Sequence, residues 1–347
     1  MFQRFRKYFM IILVTLSILV PMALLYYVDA PSFDKTWKGR TFYLFFVWLF
    51  AMELILDWEK YETEPVNKPR SVVRLMVLAV ASLSPTVYVI LEYFYGLNAA
   101  LVDLALRYGI GPAWFIKDYP YVVPLAAEYL VFTILFTAIF VLAFGLRGLK
   151  GFSLSTALLA VIGVTYTIDN LYPQGNFTPF MILVPATATL ASWILNLMGY
   201  LTSFGSPVQG MPALSAGKTW PPSTTFYIAW PCSGVESLLI YTVVILLFLK
   251  KTAIPLWQKI TYFAVGAVVT YFVNALRIVT IFIIAINGGN IWPFHDYYGP
   301  LYSIVWITSY PLIIIGSQML WRKIRPEKIV VQNDTLLAED RTTIPRS

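Results

Sequence analysis

The chain has 347 residues, of which 59% are hydrophobic and 12% charged, with a mean hydropathy of +0.70 and a formal charge of +7. That balance lies far from an ordinary soluble domain and marks a polytopic membrane protein. The Lys and Arg residues sit in short clusters flanking apolar runs, as cytoplasmic anchors do, so the excess charge reads as membrane topology and no nucleic-acid partner is expected.

A bilayer core of ~30 Å takes about 20 apolar residues of helix. Such runs fall at Tyr8 to Val28, Thr41 to Leu56, Val72 to Leu91, Val122 to Leu146, Phe152 to Ile168, Phe180 to Met198, Val235 to Phe248, Thr261 to Ile284 and Tyr302 to Leu320. The first follows Arg4, Arg6 and Lys7, as a signal peptide would. Its apolar stretch exceeds the ~7 to 15 residues of a signal core, so it is expected to remain as a helix.

If all these runs crossed, with the N-terminal cluster inside, Lys250, Lys251, Arg322, Lys323 and Arg325 would lie outside, against the positive-inside bias. Demoting Phe180 to Met198 repairs both clusters at once. That run is interrupted by Pro185 and carries Thr187, Thr189, Ser192 and Asn196, so it suits an interfacial or re-entrant helix. The inner side then holds the Asp57 to Arg70 loop, Arg147 with Lys150, and the tail, while Lys35, Lys38 and Arg40 in the first outer loop run against the bias. The long outer segment from Asp169 to Trp230 contains Gly205-Ser206-Pro207, Gly210, Gly217 and Pro221-Pro222, too much punctuation for helix, and Thr224 to Trp230 reads as a short strand.

The expected fold is an all-α polytopic membrane protein with about eight transmembrane helices, an interfacial or re-entrant helix and a short extracytoplasmic β-like segment. A single integral membrane domain covers residues 1–325, with its motif-bearing part at 180–320, followed by a cytoplasmic tail at 326–347. No internal repeat is evident.

The chain contains one cysteine and one histidine, Cys232 and His295, and each stands beside the end of an apolar run. One thiol and one imidazole leave too few soft ligands for a zinc or iron site, so no metal or other cofactor is expected. Ser233-Gly234-Val235-Glu236 fits a capping box that would start a helix at about Gly234. Cys232 would then lie just outside a helix N-terminus, where the dipole favours thiolate while Glu236 opposes it. The alternative is a small buried hydrophobe.

Arg277 lies in the apolar stretch Tyr271 to Ile284, 18 residues beyond Lys259. At 1.5 Å per residue that is about 27 Å up a ~30 Å core, near the outer leaflet and level with Cys232. A guanidinium there needs protein, water or headgroups to face. Asn274, one turn earlier, is placed to orient the guanidinium or hold a substrate carbonyl. His295 follows the outer end of the same helix, where an imidazole suits general acid–base work. Glu53 and Glu128 lie in apolar runs and offer a second reading, a charged transport pathway, unless they pair with helix-end cations such as Arg74. Asn176-Phe177-Thr178 and Asn333-Asp334-Thr335 both match the glycosylation sequon.

Cys232-Ser233-Gly234 opening a helix, Asn274-Ala275-Leu276-Arg277-Ile278 in the next, and His295 before the last resemble the exosortase/archaeosortase family. The resemblance runs from Phe180 onward and includes Ala191 to Gly199, similar to the stretch before the family's cysteine. It implies a membrane cysteine transpeptidase whose partners are secreted proteins with a C-terminal tripartite sorting signal and, as acceptor, a membrane lipid. Carried over residue by residue, Cys232 is the nucleophile, Arg277 its electrostatic partner and His295 the general base, with Ser233, Gly234, Glu236 and Asn274 in support. Trp230-Pro231 points to the archaeal side of the family and its thaumarchaeal branch. Some archaeal relatives carry arginine at the position of His295, which puts the role of the histidine in doubt. A secondary transporter or channel and a structural scaffold are the competing readings.

Overall fold

The computed structural model describes residues 2–35, 38–56, 72–173, 179–208 and 210–324. Its helices are α1 (Phe2–Val28), α2 (Thr41–Leu56), α3 (Val72–Phe94), α4 (Leu97–Tyr108), α5 (Ala113–Asp118), α6 (Val122–Leu149), α7 (Ser153–Leu171), α8 (Leu183–Leu197), α9 (Val235–Lys251), α10 (Leu256–Ile286) and α11 (Gly299–Ile324). Both sequons, the Asp57 to Arg70 loop and the 326–347 tail lie outside the described residues.

Among the described residues, α1, α3, α6, α7, α10 and α11 are long and apolar enough to cross a bilayer. Helices α2 and α9, with 16 and 17 residues, extend only about 24 to 26 Å. The expected eight spans therefore divide into six of full length and two short ones. Helix α8 has 15 residues, about 22 Å, too short for a perpendicular crossing. Helices α4 and α5 arise in a stretch that a search for long apolar runs passes over. Glycines Gly96 and Gly109, at φ 75° and 64°, bracket α4 in the left-handed region where an L side chain is disfavoured.

One core lies among α1, α2, α3, α6 and α7. Tyr43, Phe46 and Phe50 recur at helical spacing on one face of α2 and stack on Tyr129, Phe136 and Phe140 of α6 at 4.2, 5.2 and 5.8 Å. Buried charges join these helices at the end where α1 stops and α2 begins. Arg40 donates from Nη2 and Nε to Glu128 at 2.5 and 2.9 Å and from Nη1 to Asp29 at 2.7 Å. Lys38 lies 2.8 Å from Asp169, each side chain 1% exposed, and donates to Asn170 at 2.7 Å. Lys38 and Arg40, at odds with the positive-inside bias, are thus neutralised within the protein. Glu53 accepts the backbone N–H groups of Leu154 and Ser155, both at 3.1 Å, satisfying orphan donors at the start of α7, and lies 3.6 Å from Lys250.

A second core is built from α8, a small sheet and α10. Strands β1 (Leu201–Val208), β2 (Met211–Gly217) and β3 (Thr224–Tyr227) form an antiparallel sheet in that order, with Leu201 opposite Gly217 and Ala213 opposite Tyr227. Leu214 and Ala216 of β2 pack with Val184, Ala188 and Ala191 of α8. The strand expected to run to Trp230 ends at Tyr227, and the segment expected only to be non-helical holds β1 and β2. The punctuation that hid them is absorbed by the sheet: Pro207 falls in the irregularity between Gly205 and Val208. A third cluster seals α9, α10 and α11, where Tyr241 donates to the Phe263 carbonyl at 2.8 Å and Trp306 to Thr270 at 3.0 Å.

Candidate active site

Between β3 and α9 the chain makes one 3₁₀ turn, Trp230–Ser233, and Cys232 sits in it. Gly234 then breaks the turn from the helix at φ 95°. A Cβ on Gly234 would meet Asn274 Nδ2 at 3.0 Å, so this glycine serves both the left-handed backbone and the close approach of α10. The expected capping box does not form. Gly234 is itself the N-cap, with no side-chain cap bond, and Ser233 donates back to the Trp230 carbonyl at 2.6 Å. The left-handed glycine places Ser233 one residue too early to reach the first turn of α9.

Three neighbouring helices hold this turn. Asn274 of α10 donates to the Cys232 carbonyl at 2.9 Å. Thr187 of α8 donates to the Ser233 carbonyl at 3.1 Å and is 2.7 Å from the Tyr271 hydroxyl. The Trp230 indole donates to Asp169 of α7 at 2.7 Å, and Asp169 is the carboxylate paired with Lys38. Asn274 thus braces the backbone of the cysteine. The Trp230–Asp169 tie joins residues 61 apart in the chain and leaves no local signal.

Arg277 lies one turn beyond Asn274 on α10, half-buried, and donates from Nη2 to the backbone carbonyl of His295 at 2.8 Å. Its Nε is buried and has no hydrogen-bond partner among the described residues. Gly299, at the start of α11, makes room for it: a Cβ there would approach Nε to 2.6 Å. His295 falls in the π-helical turn Phe294–Tyr298 that leads into α11, with the Trp292 ring edge-on at 5.8 Å.

Cys232, Arg277, His295 and Asn274 line one pocket of about 330 Å³. Its remaining walls are largely apolar, from Phe226 and Tyr227 of β3, Ile228 just after it, Ile278, Ile281 and Phe282 of α10, and Ile291 and Trp292. Sequence reasoning found the polar corner and missed these walls, because apolar side chains carry no distinguishing signal in so apolar a chain. Ser233 and Gly234 lie behind the cysteine, fully buried. Glu236 sits in the first turn of α9 outside the pocket lining, close enough for its charge to act on the thiol.

Burial pushes the Cys232 thiol above its ordinary value, the Arg277 guanidinium draws it back down, and Glu236 pushes it further up. Burial thus works against the thiolate that the helix N-terminus favours, and Glu236 opposes it as expected. Among the described residues, no three His, Cys, Asp or Glu side chains gather as they would around a metal ion.

The model of the family described as transmembrane exosortase matches residues 36–310. The match spans α2 to the middle of α11 and so begins well before Phe180, where the motif resemblance starts. No curated protein and no solved structure matches the chain.

Proposed function

The chain belongs to the transmembrane exosortase family, and from that premise we propose that Cys232 is the nucleophile of a transpeptidase acting on C-terminal sorting signals. The observation that carries the reading is the shared pocket, which Cys232, His295 and Arg277 line together.

His295 takes the thiol proton as Sγ bonds to the scissile carbonyl carbon. The Arg277 guanidinium, held in place by the Nη2 bond to the His295 carbonyl, donates to the oxyanion that develops. The carbon–nitrogen bond then breaks, the leaving amine takes the proton from His295, and a thioester remains on Cys232. An acceptor amine attacks the thioester, the carbon–sulfur bond breaks, and the thiol is restored once the amine proton has moved through His295. The acceptor is a membrane lipid, with water as the competitor. The apolar walls suit a substrate whose sorting signal is itself a membrane helix. The positive-inside bias supports an extracytoplasmic pocket, and Trp230-Pro231 favours the archaeal, thaumarchaeal branch of the family.

The competing transport reading loses its two acids, since Glu53 accepts backbone bonds at the start of α7 and Glu128 is fixed by Arg40. Co-expression with a secreted protein ending in a short motif, an apolar helix and a basic cluster tests the proposal. Cys232→Ala should leave that protein unprocessed while accumulating normally in the membrane, and full processing by Cys232→Ala would defeat the reading.

A further inference from the structure

Strand β3 is an outer strand of the sheet: the order is β1-β2-β3, and among the described residues no strand pairs with its far side. Its register shows which main-chain groups are left over. Phe226 stands opposite Leu214 and Tyr227 opposite Ala213, and just past the strand Ile228 donates its N–H to the Pro212 carbonyl at 3.0 Å. Main-chain groups alternate in direction along a strand, so Thr224, Phe226 and Ile228 turn theirs toward β2, while Thr225 and Tyr227 turn theirs away. Both outward residues are exposed.

The outward side is the side of the cysteine pocket. Phe226, Tyr227 and Ile228 all line that pocket, although consecutive strand residues place their side chains on opposite faces. Phe226 packs edge-on against Phe282 of α10 at 5.0 Å, whereas the Tyr227 side chain is exposed. What three consecutive residues have in common is an edge of the strand, and the edge toward β2 is taken. The pocket therefore runs along the free edge of β3, with Ile278, Ile281 and Phe282 of α10 as its neighbouring wall. Beyond Ile228 and Ala229 the chain enters the turn that carries Cys232, so a peptide lying along this edge is led to the sulfur.

We propose that the recognition segment of the sorting signal binds this edge as an added β-strand, its main chain pairing with the outward N–H and C=O groups of Thr225 and Tyr227. The proposal rests on the transpeptidase reading of the same pocket and specifies the form in which the substrate is taken, an extended chain. A peptide carbonyl inside a helix already accepts the N–H four residues on, so a bond that is to be cleaved must leave the helix. Close to a membrane, the main-chain groups released in this way need new partners. A free strand edge supplies them whatever the sequence, while every second side chain of the added strand turns toward the apolar wall of α10.

The test uses the full chain in nanodiscs and synthetic peptides spanning the motif, apolar helix and basic cluster of a secreted protein of the kind used in co-expression. Each peptide carries one backbone ester in place of an amide, away from the scissile bond, and so lacks one N–H. In an added strand, parallel or antiparallel, the residues that bond to β3 are two apart. Esters at those positions should lower kcat/KM about tenfold, and esters at the residues between them about twofold or less. On the protein side, Tyr227→Pro deletes an outward N–H without removing a bond to β2. It should lose about tenfold more than Tyr227→Ala, which removes the same side chain and keeps the N–H. The ester series on the unaltered chain carries the test if Tyr227→Pro fails to fold. Cleavage without alternation, or equal loss in the two Tyr227 variants, overturns strand addition and leaves the transpeptidase reading standing. Failure to cleave any all-amide peptide defeats that reading, and strand addition with it.

Discussion

In the core of α2, α6 and α7, buried charge is consumed by structure: Arg40 meets two carboxylates, Lys38 meets Asp169, and Glu53 meets two backbone N–H groups. Around Cys232 the opposite holds. There the backbone is satisfied, with the Cys232, Ser233 and His295 carbonyls each accepting a side-chain donor, while Cys232 and Arg277 line a pocket. Polar groups that finish their bonding within the protein hold helices together, and groups held rigid but unfinished are available to a substrate. Identity alone does not separate the two, since an Arg withdrawn from water occurs in both.

Substitutions should divide along the same line. Glu128→Gln leaves Arg40 without its strongest partner and should lower stability by about 3 to 5 kcal/mol, read from denaturant unfolding in micelles. Processing per folded molecule should be unchanged, and specific loss of processing with normal stability would assign Glu128 to function and favour the transport reading. Arg277→Gln should do the reverse, cutting processing by about 10² to 10³ with unfolding unaltered, as expected for removal of one oxyanion donor. Equal loss of stability would make Arg277 another structural cation.

A smaller effect separates burial from charge at the sulfur. The Cys232 thiol lies above its ordinary range, so the thiolate fraction at neutral pH is small and alkylation by iodoacetamide should rise about tenfold per pH unit as pH approaches the thiol's pKa. Glu236 raises that pKa, so Glu236→Gln should lower it and speed alkylation severalfold at pH 7, measured by mass shift over time. A slower reaction in Glu236→Gln would mean that the carboxylate helps deprotonate the thiol.

Every long apolar run of the sequence is a helix in the structure, because a bilayer demands length and apolarity that the chain displays openly. The sheet was hidden, since Gly205, Pro207, Gly210 and Gly217 read as breakers until α8 supplies the surface on which β2 packs. Cys232, Arg277 and His295 stood out as singular residues in an apolar chain. Their supports did not: Thr187, Asp169 and Trp230 act through pairings across the fold. The Ser233 to Glu236 pattern looked like a cap because the left-handed conformation of Gly234 is invisible in the letters.

The central claim is a covalent bond between substrate and Cys232, and intact-mass analysis with peptide mapping of enzyme quenched during turnover tests it most directly. The account predicts an added mass equal to the substrate's N-terminal fragment, located on the peptide bearing Cys232 and released by hydroxylamine. Turnover without any adduct, continuing in Cys232→Ala, or an adduct on another residue, would contradict it.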